Sequence, residues 1–375
     1  MVDGAHDGRA GRRALWALAA GATGAALAGA AAAGVAHRRK VIGRRGAGDE
    51  VALGSLRSPA VTVVADDGVA LHVEVDEPDA VPGGPGAGGR HAGSPEEADA
   101  ALPTMVFVHG YALDLDCWHF QRAAYRGQLR TVFYDQRSHG RSGRSSRENA
   151  TIEQLGRDLR TVLDHVVPEG PVVLVGHSMG GMTIIALAEE HPEIFGDRVV
   201  AVGLVSTTAG GLDPSRVLLP LPVLPRTIGG QVAVRAVAAL ARGHRVVDGF
   251  RRAGRAVALV ATERYAFGSE VPEGYVRFVD RMLSRTSFDV LAEFFPAFGT
   301  LDKFAVVTAL EAVPTTIICG TADKITSIGH SRKLHAHIDG SRLLELDDAG
   351  HMVILERHER VNEALDDLVE AAVRG

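Results

Sequence analysis

The chain is 375 residues long and 46% hydrophobic, enough for a large buried core. Its net charge of −6 is unevenly spread, with +4 on residues 1–50 and −10 on residues 51–375. An acidic body argues against nucleic-acid binding, which needs clustered cations at the phosphates. Cys117 and Cys319 form neither a C-x-x-C pair nor a zinc spacing, and read as buried free thiols, with a disulfide between them as the alternative.

In chain order, residues 14–36 come first and hold no charged side chain; 13 of these 23 residues are Ala and four are Gly. About 20 helical residues cross a bilayer, so the stretch is long enough, although poor in Leu, Ile and Phe. Arg12 and Arg13 precede it, and Arg38, Arg39, Lys40, Arg44 and Arg45 follow. The length and basic flanks fit a single-pass membrane anchor. Arg12-Arg13 followed by Leu15-Trp16 fits a twin-arginine export signal, and a plain Ala/Gly leader is the third reading. The basic cluster directly after the segment is a poor setting for cleavage, which favours an uncleaved anchor. The cation asymmetry then turns the main domain towards the cytoplasm, and an export signal would reverse that. Residues 1–50 are therefore set apart from a main domain over 51–375.

Residues 60–65 and 70–75 predict an antiparallel pair around the turn Asp66-Asp67-Gly68. Residues 79–101, rich in Pro, Gly and Ala, read as a surface loop. Thr104–Gly110 predicts a buried strand ending in His109-Gly110, followed by a helix-like segment near Asp116–Gln128. A further strand at Arg130–Gln136 runs into Arg137-Ser-His-Gly-Arg-Ser142. Thr151 and Gln154 make a capping box, and Ile152, Leu155, Leu159, Val162, Leu163 and Val166 trace one helix face. Strands at 171–175 and 198–205 continue the alternation, which means a mostly parallel sheet flanked by helices. From about 212 to 300 the alternation stops. A proline cluster (Pro214, Pro220, Pro222, Pro225) opens an apolar, aromatic-rich helical stretch, a candidate cap inserted into the main domain. The sheet resumes at 314–320 and 341–346, and a helix carrying Val361, Leu365 and Leu368 closes the chain.

The chemistry centres on Gly176-His-Ser-Met-Gly180, set between a β-branched strand and a helix. A serine at the apex of such a strand–turn–helix is pushed out of the sheet edge, and the glycines two residues either side admit the close turn. A serine hydroxyl needs a base beside it, and the base needs an orienting acid. In open α/β sheets reactive groups collect at the carboxyl ends of strands. The two strands after the insertion end in Asp323 and in the loop carrying His351. Asp302, Asp347 and Asp348 are alternative acids without that strand-end position. His109 and His177 adjoin the site and are expected to bond locally, and His139 belongs to the loop after residue 136. No H-E-x-x-H, EF-hand or Walker pattern occurs, so neither a metal nor a cofactor is called for.

Together His109-Gly110, Asp135–Ser142, Gly176–Gly180, Gly320-Thr-Ala-Asp323 and Gly350-His351 resemble the α/β-hydrolase superfamily over roughly residues 60–375. The resemblance implies Ser178 as nucleophile, His351 as general base and then acid, and Asp323 holding the His351 tautomer. It also implies an oxyanion hole from the backbone N–H groups of Tyr111 and Met179. Ser138 departs from the pattern, since many relatives have glycine there. The implied activity is cleavage of small-molecule or lipid-like carboxylic esters through an acyl-enzyme. A serine rather than an aspartate at the turn argues against epoxide hydrolase or haloalkane dehalogenase chemistry. The alternatives are a cofactor-free perhydrolase, an amide-cleaving enzyme, and a binding protein built on the same fold.

Overall fold

The computed structural model describes residues 32–46, 52–79, 102–212 and 247–374. The predicted strands assemble into one eight-stranded sheet in the order β1-β2-β4-β3-β5-β6-β7-β8. β1 (Ala60–Val64) and β2 (Ala70–Asp76) form the hairpin, and β2 joins β4 (Thr131–Tyr134) antiparallel. β3 (Thr104–Val108), β5 (Val172–His177), β6 (Val199–Val205), β7 (Thr315–Gly320) and β8 (Arg342–Leu346) complete the sheet. From β4 onwards every neighbouring pair is parallel.

The central strands are apolar on both faces because helices cover both sides. Val173 and Val175 join one buried cluster, while Val172 and Leu174 join the other, as the two-residue period of a strand requires. On one side α3 (Ile152–Val166) packs against α4 (Met179–Glu190), and α8 (Ile328–His335) covers β7 and β8. Of the predicted capping box one half forms: Thr151 Oγ1 accepts from the Gln154 amide at 3.1 Å, while the Gln154 side chain turns to Asp66 and Arg157. The six residues of the predicted face are all buried. On the other side lie α2 (His119–Tyr125), which is shorter than its predicted segment and preceded by a 3₁₀ turn over Leu115–Trp118, and α10 (His358–Arg374).

Among the described residues three α-helices stand between β6 and β7: α5 (Val247–Ala266), α6 (Glu273–Arg285) and α7 (Phe288–Thr300). Most of the described aromatic residues of this stretch divide between two clusters. Phe267, Tyr275 and Phe278 pack with Trp118 and Phe107, whereas Phe294, Phe295 and Phe298 pack with Met179 and Met182 at the start of α4. Phe288, at the head of α7, points into solvent. The proline cluster and all of the predicted 79–101 loop except Asp79 lie outside the described residues.

Residues 32–42 are helical and form α1. Most of the expected anchor over 14–36 lies outside the described residues, and among those described no helix is long and apolar enough to cross a membrane. The cations after it do not all face outwards. Arg38 Nε donates to Glu263 Oε2 at 2.8 Å, and Arg45 Nη1 donates to Glu263 Oε1 at 2.7 Å. Arg45 also reaches Glu270, and Ile42 between the two arginines is fully buried. Two of the five basic residues thus fasten α1 to α5. A charge run read in sequence as a lipid-facing flank is partly an internal contact.

Candidate active site

β5 runs into α4 with no loop between them, and the single residue at the junction is Ser178, at φ 54° and ψ −117°. A positive φ is unfavourable for a residue with a Cβ, so the surrounding contacts must enforce it. They do so by close backbone approach. A Cβ on Gly180 would lie 2.0 Å from the Val108 carbonyl oxygen, and one on Gly176 would lie 2.5 Å from the Gly180 backbone. The turn is further held by the Ser178 amide donating to Val205 O at 2.9 Å and by Thr207 Oγ1 donating to Ser178 O at 2.6 Å. The Ser178 side chain itself makes no hydrogen bond to the described residues, and the residue is 8% exposed.

Asp323 and His351 come from the ends of β7 and β8, and the structure brings them together. His351 Nδ1 stands 2.9 Å from Asp323 Oδ2. Asp323 Oδ1 accepts the amides of Ile325 at 2.8 Å and Thr326 at 3.0 Å, and the Thr326 hydroxyl is 2.9 Å from Oδ2. Burial by itself would raise the Asp323 pKa. The His351 charge and these hydrogen bonds outweigh it and hold the carboxyl below its ordinary range. Asp347 and Asp348 are exposed on the β8 loop, and Asp302 is exposed and bridges to Gly210. The acid paired with the imidazole is Asp323.

His177, expected to bond locally, instead reaches across the sheet end: its Nε2 donates to the His351 carbonyl oxygen at 2.9 Å. The two rings lie 4.9 Å apart, which brings the imidazole of His351 beside the residue preceding Ser178. Sequence reasoning missed this bond and also missed Thr326. The D-x-x-T spacing of Asp323 and Thr326, which lets a carboxylate take the amides two and three residues on, was the available signal.

The loop after β3 closes the site from the other side. A Cβ on Gly110 would sit 3.1 Å from Ser178 Cβ, so Tyr111 follows directly beside the serine. Among the described residues the Tyr111 and Met179 amides donate to no other group of the chain. The Tyr111 hydroxyl donates to Leu291 O at 2.6 Å, which fastens this loop to α7. Behind it the 135–142 loop is structural. Arg137 pairs with Asp158 and Asp67, and Asp135 accepts the amides of Leu115 and Arg141. Ser138 sits at φ 63°, which explains why glycine suits that position. Its hydroxyl accepts the Ser145 amide at 2.8 Å. Both thiols are buried and free, and burial together with the Asp323 charge pushes Cys319 up to about 12.

Three buried histidines should make the stability of the domain sensitive to acid. Burial lowers His109 to about 4, and lowers His139 and His177 to about 3. In the unfolded chain each returns to about 6.5, so below that pH the unfolded state binds three more protons than these rings do in the fold. Asp114 works against them. Burial and the neighbouring Asp116 and Asp135 raise it to about 6, so the folded chain takes one proton there first. The net excess for these four groups near pH 5 is about two protons, a loss of roughly 2.7 kcal/mol of stability per pH unit on acidification. Denaturant melts at pH 7, 6 and 5 should show stability falling steeply, and a flat profile would contradict the buried neutral rings.

Sheet order, strand-end placement and a positive-φ serine between strand and helix are the marks of an α/β hydrolase. The chain belongs to the alpha/beta hydrolase family, whose model matches residues 105–364. Among individual relatives, it is 27% identical over 271 residues to 3-oxoadipate enol-lactonase 2 of Acinetobacter baylyi, covering 71% of this chain and 88% of that one. It is 24% identical over 249 residues to a proline iminopeptidase of Saccharolobus solfataricus, covering 64% and 76%. Of solved structures, an esterase from Exiguobacterium antarcticum shares the fold at TM-score 0.62 and 18% identity, covering 83% of this chain and all of that one. The enol-lactonase from Burkholderia xenovorans aligns at TM-score 0.58 and 25% identity, with 83% and 100% covered.

Proposed function

We propose that this protein is a serine hydrolase of carboxylic esters. Ser178 Oγ attacks the acyl carbon as His351 Nε2 takes its proton, and the same proton then passes to the departing alcohol. Water, deprotonated by His351, releases the acid from the acyl-enzyme and restores Ser178. Asp323 keeps the His351 proton on Nδ1, and the amides of Tyr111 and Met179 stabilise the oxyanion. The observation that carries this reading is the 2.9 Å contact between His351 Nδ1 and Asp323 Oδ2, beside a serine held at positive φ. The enol-lactonase relative supports it, since a lactone is a cyclic ester.

The helices inserted within 212–300 then serve as a cap, with α7 laid over the Ser178 turn. Phe294, Phe295 and Phe298 cluster there with Met179 and Met182, and such apolar side chains next to the serine would favour an acyl chain of several carbons. Each buried CH₂ contributes about 0.8 kcal/mol. The test is fluorophosphonate labelling followed by hydrolysis of p-nitrophenyl esters of graded length. Labelling should fall on Ser178, and kcat/KM should rise from acetyl towards octanoyl. An unlabelled protein would exclude serine hydrolysis, and a falling series would exclude the apolar lining.

A further inference from the structure

The loop that carries His351 is held by a carboxylate that the acyl-transfer scheme leaves unused. Glu356 closes α9 (Val353–Glu356), and its side chain is fully buried. Its Oε2 accepts the Gly350 amide at 2.7 Å, next to His351, and the Gly268 amide at 3.1 Å. Its Oε1 accepts the Ser269 amide at 2.6 Å and the Ser269 hydroxyl at 2.5 Å. Four donors converge on one group, and two of its donor residues belong to the segment leaving α5 while one belongs to the His351 loop.

These two segments also touch backbone to backbone. A Cβ on Gly268 would lie 2.3 Å from Asp348 O, and one on Gly350 would lie 2.4 Å from the Gly268 nitrogen. The Met352 amide donates to Ala266 O at 2.8 Å, so the amides on both sides of His351 are spoken for. Asp323 and the Thr326 hydroxyl meet the His351 ring, His177 grips its carbonyl, Glu356 takes the preceding amide and the Ala266 carbonyl takes the following one.

We infer that Glu356 is a positioning residue for His351, joining the base-bearing loop to the exit of α5 so that the inserted helices and the imidazole keep one fixed geometry. The inference rests on the reading of His351 as the general base. All four partners donate, so the site needs an acceptor on both oxygens, which a carboxylate offers and an amide does not. Gln in place of Glu keeps the volume but turns one oxygen into a donor facing donors. Misplacement of a reacting group by about 1 Å is enough to lower turnover on the order of 100-fold.

The experiment compares wild type, Glu356→Gln and Ser269→Ala by two readouts. The first is kcat and KM per fluorophosphonate-titrated active site, which removes any loss of folded protein from the comparison. Glu356→Gln should lower kcat by about 10- to 100-fold with a much smaller change in KM. Ser269→Ala, which removes a single donor, should lower it several-fold, and it keeps the inference testable should the first variant fail to fold. The second readout needs no turnover: the low-field proton resonance of the His351 Nδ1–H bonded to Asp323 should shift or broaden in both variants. Unchanged kcat per titrated site together with an unchanged resonance would overturn the inference and leave Glu356 a purely structural residue. If wild type hydrolysed no ester while the resonance still responded, the positioning role would stand and the hydrolase reading would fall.

Discussion

Ser178→Ala should abolish fluorophosphonate labelling and lower ester turnover on the order of 10⁶-fold, with the melting temperature unchanged. The size of the effect follows from chemistry: no other group at the turn supplies an attacking oxygen, so only binding and oxyanion stabilisation remain. The unchanged stability follows from structure. The Ser178 side chain holds no hydrogen bond within the described fold, and the bonds that fix its turn are made by its backbone amide and carbonyl. Alanine meets the same φ of 54° with a side chain no larger than the one removed. Wild-type-like turnover by purified, folded Ser178→Ala would place the nucleophile elsewhere.

Asp323→Asn should fold normally and lose about 10⁴-fold in kcat. The direction of the new amide decides this. Oδ1 of Asp323 accepts two backbone amides, from Ile325 and Thr326, which cannot rotate away. The carbonyl oxygen of the substituted side chain must therefore take that position, which leaves its NH₂ facing His351 Nδ1 in place of Oδ2. A donor there selects the tautomer with the proton on Nε2, and that nitrogen can no longer accept from Ser178. Asp348→Asn is the control, since that residue is exposed and its amide is held by the Thr321 hydroxyl. Stopped-flow measurement of acylation in both variants separates them; a larger loss in Asp348→Asn would reassign the acid.

Much of this was legible in the chain because the relevant signals are local. The sheet followed from β-branched runs alternating with amphipathic helices, and the α3 cap from the Thr151–Gln154 spacing. The Ser178 turn announced itself because strand, glycines and helix are contiguous. Asp323 and His351 were legible because each ends a strand, and the carboxyl ends of parallel strands meet. What stayed hidden depends on chain segments far apart. His177 bonds to a carbonyl 174 residues away, and Glu356 gathers amides 87 and 88 residues behind it. Neither leaves a spacing to find. The same holds for Arg38 and Arg45, whose partner Glu263 follows more than 200 residues later.

That last contact sets how the molecule takes up a mechanical pull. Glu263 is nearly buried under two guanidinium groups, and Ile42 is locked into the core between them. Tension applied to the beginning of the chain is therefore delivered to α5 and, through Gly268 and Ser269 at its exit, towards the loop of His351. The edge strand β1 begins only at Ala60, after the arginine grip, and is shielded until that grip yields. A tether on residues 1–31 would load α5 before it loads the sheet.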